Sequence, residues 1–191
     1  MIRTFIAFEI DDKSKRECDH LILKGKKLFP KEIKWVESHN LHITLVFLGD
    51  IEQSDVKIVK EQLQELAELL PEITLKNGQL RWNPQFKPKT LWIEYPDCSC
   101  EVFDEIRDSF VAEMKRLLPY LQIDKKDFKF HITLGRVKNK INIEKWLLHD
   151  ELFNHEVQLR HLSLYQSTLH PQGPIYKNLE LITLHGGNKH D

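Results

Sequence analysis

The chain has 191 residues and a formal net charge of −1, a length that suits one large domain or two small lobes sharing a core. Balanced charge excludes a long, non-specific nucleic-acid tract, which would be strongly basic, but leaves open the recognition of a nucleic-acid end, where few phosphates need contact. The three cysteines, Cys18, Cys98 and Cys100, lack the spacing of a zinc or redox pair, so they read as reduced thiols of a cytoplasmic protein.

Residues 2–10 are rich in β-branched and aromatic types and predict a strand, with no signal-peptide pattern before it. Asp11 or Asp12 can cap a helix whose apolar positions Cys18, Leu21, Ile22, Gly25 and Leu28 follow helical spacing up to Pro30. Ile33–Val36 predicts a short strand and Leu41–Leu48 a longer one, closed by Gly49-Asp50. Val56, Val59, Leu63, Leu66, Ala67 and Leu70 then mark one face of a second helix that stops before Pro71. Residues 73–82 and 90–95 predict strands separated by the loop Asn83–Pro88. No apolar run approaches the roughly 20 residues that span a bilayer, so no membrane partner is expected.

The pattern then restarts. A helix near 99–118 carries Val102, Ile106, Phe110, Met114 and Leu117 on one stripe. A strand follows at Phe128–Val137, then a short helix near Ile143–His149 and terminal strands near 156–167 and 175–184. Strand, helix, long strand, helix, strand thus occurs twice, with 36 residues from Ile6 to His42 and 38 from Ile93 to His131. This predicts an internal duplication: residues 1–185 as one bilobal α+β domain of two pseudo-symmetric halves, and 186–191 as a loose tail.

The long strand of each half carries the same tetrapeptide, His42-Ile43-Thr44-Leu45 and His131-Ile132-Thr133-Leu134. Strand side chains alternate, so His and Thr share one face while Ile43 and Ile132 anchor the other in a core. Two such strands facing each other would set two imidazoles and two hydroxyls around one cleft. Cleaving a phosphodiester needs a base for water and an acid for the departing alkoxide, and imidazole does either near neutral pH. The hydroxyls can donate to non-bridging oxygens. Ordinary β-propensity accounts for threonine in a strand as well, so the weight lies in the repeated His/Thr pair and its context.

Arg136 lies five residues after His131, on the opposite face by strict alternation; a bulge at Gly135 would turn its planar fork toward a phosphate, while a solvated arginine at a strand end is the competing reading. Lys125, Lys126, Lys129, Arg136, Lys138 and Lys140 face only Asp127 in 125–140, an excess able to steer an anion or simply to be solvated. The other histidines show no ligand spacing, so neither a metal nor another cofactor is expected.

These motifs resemble those of the RNA 2′,3′-cyclic phosphodiesterases, the 2′-5′ RNA ligase-like (LigT/ThpR) proteins of the two-histidine phosphoesterase superfamily. Arg3-Thr4-Phe5-Ile6-Ala7 is similar to the opening strand. Trp35-Val36 and Asn40 through Gly49 resemble the first motif, and Phe130 through Val137 the second. Leu164-Tyr165-Gln166-Ser167 and Gly173-Pro174-Ile175-Tyr176 are similar to the C-terminal signature.

The resemblance implies two antiparallel sheets facing a central cleft. It implies metal-free hydrolysis of a terminal RNA 2′,3′-cyclic phosphate to a 2′-phosphomonoester, with reversible 2′-5′ ligation as a related activity. It also implies His42 as proton donor and His131 as proton acceptor, with Thr44, Thr133 and Arg136 on the phosphate. The near-symmetry of the two motifs does not itself assign donor and acceptor. The expected partners are RNA 3′ ends bearing the cyclic phosphate, tRNA fragments among them, bound by a monomer. Two other readings stay open: a related phosphoesterase acting on small cyclic nucleotides or 2′-5′ oligonucleotides, and a non-catalytic RNA-binding module.

Overall fold

A computed structural model describes residues 1–98, 101–123, 128–146, 152–171 and 173–184. The expected tail 186–191, Lys125 and Lys126, and the stretch of the expected fourth helix up to His149 lie outside the described residues.

The chain runs β1 (Ile2–Glu9), α1 (Asp12–Leu28), β2 (Ile33–Trp35), β3 (His42–Ile51), α2 (Val56–Leu69), β4 (Ile73–Leu75), β5 (Gly78–Asn83), β6 (Thr90–Glu94), α3 (Glu101–Leu117), β7 (His131–Val137), β8 (Leu152–Phe153), β9 (Val157–Leu159), β10 (His161–Thr168) and β11 (Ile175–Thr183). Asp11 caps α1 by accepting from the Ser14 N–H at 2.9 Å and the Ser14 hydroxyl at 2.6 Å. Along α2, Val59, Leu63, Leu66 and Ala67 are buried, the stripe their spacing predicts.

Two antiparallel sheets carry the architecture, in the orders β11-β10-β1-β3 and β2-β7-β6-β5-β8, with β4 and β9 forming a separate pair. This is the α+β arrangement expected, with one exchange that local patterning does not reveal. The closing strand of each sequence half pairs with the opening strand of the other: β5 lies beside β6, and β10 beside β1. The two lobes are therefore stitched together rather than laid end to end. The buried core runs through both, from Ile6, Phe8, Ile43 and Leu164 to Leu91, Ile93, Ile132 and Phe130.

Several boundaries differ from expectation. The segment 73–82 is two strands with different partners, parted where Asn77 adopts φ +55°. Likewise 156–167 divides into β9 and β10. The β3 strand does not close at Gly49; it bulges there (Thr4 pairs with Gly49, Phe5 with Phe47) and continues to Ile51. The helix expected near Ile143 is a 3₁₀ turn, Ile143–Trp146. Along α3 the expected Phe110 and Met114 are buried and Ile106 and Leu117 half-buried, while Phe103, Arg107 and Val111 are buried beside them, so that an arginine lies on the inner face.

Candidate active site

The β1–β3 and β6–β7 pairs use one register twice. Glu9 pairs with His42 and Ala7 with Thr44; Glu94 pairs with His131 and Trp92 with Thr133. In both, the residue after the threonine is an extra one: Ile6 meets Val46, skipping Leu45, and Leu91 meets Gly135, skipping Leu134. Such a bulge resets the alternation of faces. The residue five beyond each histidine, Phe47 or Arg136, thereby returns to the His/Thr face. In this shared register the matching residues are Glu9 and Glu94. The pairing of Ile6 with Ile93 is displaced by two, since Ile93 faces Ile132 and its counterpart facing Ile43 is Phe8.

The bulge expected at Gly135 is present, although glycine is not its cause. The first copy bulges with Val46 at the equivalent position. Gly135 is instead required by β2: a Cβ there would stand 2.6 Å from Ile33 and 3.2 Å from Trp35.

His42, Thr44, His131, Thr133 and Arg136 line one cleft of about 600 Å³, so every expected site residue reaches the same space. The imidazole Nδ1–H of His42 donates to the main-chain carbonyl of Asn40 at 2.7 Å, and that of His131 to the carbonyl of Lys129 at 2.9 Å. A carbonyl only accepts, so each neutral ring carries its proton on Nδ1 and presents a bare Nε2. Here the halves diverge. The Thr44 hydroxyl donates to Nε2 of His42 at 3.0 Å. Nε2 of His131 has no hydrogen-bond partner among the described residues.

The rings are also lined differently. Phe5 stands 5.0 Å from His42, and Tyr176 meets the ring edge-on at 5.5 Å. Trp92 stacks on His131 with ring centres 4.1 Å apart and planes 25° from parallel. Burial pushes the His42 pKa down to about 4; its carbonyl hydrogen bond opposes the shift, and the charges of His131 and Arg136 add to it. Burial also lowers the His131 pKa, opposed by the hydrogen bond to Lys129 and by the carboxylate of Glu94. Both imidazoles are therefore neutral in the free protein at pH 7.

Several neighbours support the site from behind. Asn40 is buried and ties the site to the C-terminal segment, donating from its side-chain amide to the Pro174 carbonyl at 3.0 Å. Glu9 accepts from Ser163 at 2.8 Å and from Tyr165 at 2.7 Å. Glu94 pairs with Lys129 at 3.2 Å and Arg81 at 3.4 Å. Alternation along β6 would have placed Thr90, Trp92 and Glu94 on the cleft face had the register with β7 been known. Among the described residues, no group of three or more His, Cys, Asp or Glu side chains is placed to hold a metal ion, and no helix is long and apolar enough to cross a membrane.

Two sheets, each presenting a His/Thr pair from an inner-face strand to a shared cleft, define a two-histidine phosphoesterase architecture. The family is then explicit: the chain belongs to the LigT like phosphoesterases, whose model matches residues 24–92 and 104–176. An RNA 2′,3′-cyclic phosphodiesterase of Thermotoga maritima is 30% identical over 97% of both chains. Another, from Methanocaldococcus jannaschii, is 32% identical over 92% of this chain and 97% of its own. Among solved structures, a protein of Thermus thermophilus shares 25% identity at TM-score 0.82 over 97% of this chain and all of its own. Escherichia coli LigT in apo form shares the fold at TM-score 0.72 and 19% identity, over 95% of this chain and 96% of its own.

Proposed function

We propose that this protein hydrolyses terminal RNA 2′,3′-cyclic phosphates to 2′-phosphomonoesters by two-histidine acid–base catalysis. The observation that carries this reading is the pair of His/Thr faces lining one cleft, each imidazole oriented by a main-chain carbonyl. In-line displacement at phosphorus needs a base on one side and an acid on the other, and two imidazoles supply both.

His131 is the proton acceptor. Its Nε2 has no partner among the described residues, and the face of Trp92 with the carboxylate of Glu94 favours the imidazolium that forms. It takes a proton from water as the water oxygen bonds to phosphorus. His42 is the donor: a low imidazole pKa makes it a strong acid once protonated, and it passes its proton to the 3′-oxygen as the P–O3′ bond breaks. Thr44 and Thr133 donate to the non-bridging oxygens, Thr44 turning from His42 as substrate enters, and Arg136 offers its planar fork to the same charge. Catalysis needs no metal in this scheme.

The substrate class extends to tRNA fragments ending in a cyclic phosphate, acted on by a cytoplasmic monomer. The strand exchange between sequence halves supports reading them as one bilobal unit. The deciding experiment is turnover of a cyclic-phosphate oligonucleotide in EDTA, with the position of the product phosphate determined. A 2′-phosphate formed at full rate is expected. A 3′-phosphate, or activity recovered only with added divalent ion, would overturn the scheme.

A further inference from the structure

The Nδ1–H of His42 rests on one acceptor, the main-chain carbonyl of Asn40 at 2.7 Å. That carbonyl lies beyond the β1–β3 ladder, whose last pair is Glu9 with His42, and it ends the short 3₁₀ turn Ser38–Asn40. The side chain of Asn40 supplies the anchor that the ladder does not. Buried in the cleft wall, its amide donates to the Pro174 carbonyl at 3.0 Å. A carbonyl cannot donate, so the amide nitrogen must face it. Oδ1 is then left buried with no partner among the described residues. An unpaired buried acceptor costs stability, so stability alone does not account for an asparagine here. The second lobe repeats the arrangement in other chemistry. Lys129, also two residues before its histidine, holds His131 by its carbonyl and is itself held by its ammonium on Glu94 at 3.2 Å.

We infer that Asn40 is a positioning residue for the reaction: its amide, fixed on Pro174, holds the carbonyl that keeps the His42 ring in one orientation and one tautomer. The inference rests on the reading of His42 as the acid. Asn40 acts only through that ring, and it does so by a neutral, buried hydrogen bond, whereas the Lys129–Glu94 pair is exposed and correspondingly weak. An acid turned away from the leaving oxygen loses rate without losing substrate, because proton transfer needs the donor within hydrogen-bond reach. Pro174 leads into β11, whose Tyr176 meets His42 edge-on, so the C-terminal segment sets the acid from two sides.

The test is Asn40→Leu, which keeps the shape of the side chain and removes the donor. On a cyclic-phosphate oligonucleotide its kcat should fall about 10- to 100-fold with KM little changed. The loss should shrink on a nitrophenyl ester, whose departure needs no proton. Introduced into His42→Ala, the same substitution should cost nothing more, since both act through one group. Asn40→Ala, with no side chain to misfit, should repeat the pattern, and circular dichroism would confirm that each variant is folded. Independently of turnover, nuclear magnetic resonance of isotope-labelled histidine should show His42 as the Nδ1–H tautomer in the parent and as a mixture in Asn40→Leu, with His131 the same in both. Parent-like kcat in Asn40→Leu, an equal loss on both leaving groups, an equal loss with and without His42, or an unchanged His42 tautomer would overturn the positioning role. A His42→Ala protein as active as the parent would refute the proposed reaction, and a tautomer lost in Asn40→Leu would still leave Asn40 as the residue that orients the ring.

Discussion

The β1–β3 and β6–β7 strand pairs are built to one register and lined with different side chains. Each sets a glutamate opposite its histidine, a bulge after its threonine and a main-chain carbonyl on its imidazole Nδ1. Around that shared frame the first lobe is aromatic, with Phe5, Tyr176 and Phe47. The second is more charged, with Trp92 stacked on His131, Glu94 paired opposite it and Arg136 lining the cleft. Backbone geometry thus fixes where the two imidazoles stand, and the side chains around them fix what each does with a proton. In the proposed scheme a repeated motif becomes an acid and a base because the surroundings of the two copies differ.

The largest test of this difference removes each histidine. His42→Ala and His131→Ala should each lose roughly 10²–10⁴ in turnover. The double variant should lose far less than the product, since an acid and a base acting on one transition state are not additive. A nitrophenyl leaving group needs no proton, so it should partly rescue His42→Ala and leave His131→Ala slow. Rescue of His131→Ala instead would exchange the roles, and two fully active single variants would remove the catalytic reading.

The threonines come next. Thr133→Val should lose on the order of 10² in kcat as one transition-state donor disappears. Thr44→Val should lose a similar factor and also shift the pH profile, because Thr44 bonds Nε2 of His42 and Thr133 has no such bond to His131. Identical pH profiles for the two variants would break the asymmetry. Arg136→Lys should cost about tenfold, a point charge replacing a planar fork; activity of Arg136→Ala equal to the parent at low salt would return the residue to the solvated surface.

The pH profile itself is a finer test. In the proposed scheme activity needs His42 protonated and His131 neutral, and burial lowers both pKa values from 6.5 in the free protein. The bell in kcat/KM should therefore peak on the acid side of pH 6.5, while the bell in kcat should lie higher, because bound phosphate favours a protonated His42. A kcat/KM optimum above pH 7.5 would contradict the buried, neutral imidazoles.

Stability gives the smallest effect. A histidine whose folded pKa is depressed is protonated more readily in the unfolded chain, so stability is intact above pH 6.5 and falls as the pH drops toward 4. His42 accounts for at most about 3 kcal/mol of that fall. Urea unfolding of His42→Gln should show a shallower loss between pH 6.5 and 4 than the parent; an identical slope would place the acid sensitivity elsewhere.

The motifs were legible in the sequence because their cause is local. Alternation of His, Ile and Thr along a strand fixes which residues share a face, and the α2 stripe and the Asp11 cap follow from spacing alone. The strand breaks at Asn77 and between β9 and β10 were not legible, because β-rich segments read continuously until their separate partners are known. Trp92 and Glu94 were not legible for the same reason: each gains its place in the site from a strand distant in sequence.

By itself the sequence determined two strands bearing His/Thr faces, an α+β chain that repeats one tetrapeptide and a composition unlike that of a basic nucleic-acid tract. The tertiary structure decided how the lobes exchange strands, that both bulges turn the fifth residue inward, and that Phe47 and Arg136 face one cleft as counterparts. It also decided how the two imidazoles differ. Side-chain alternation is a property of consecutive residues, whereas register, burial and electrostatic environment depend on which distant strand lies alongside, and only the folded chain fixes that.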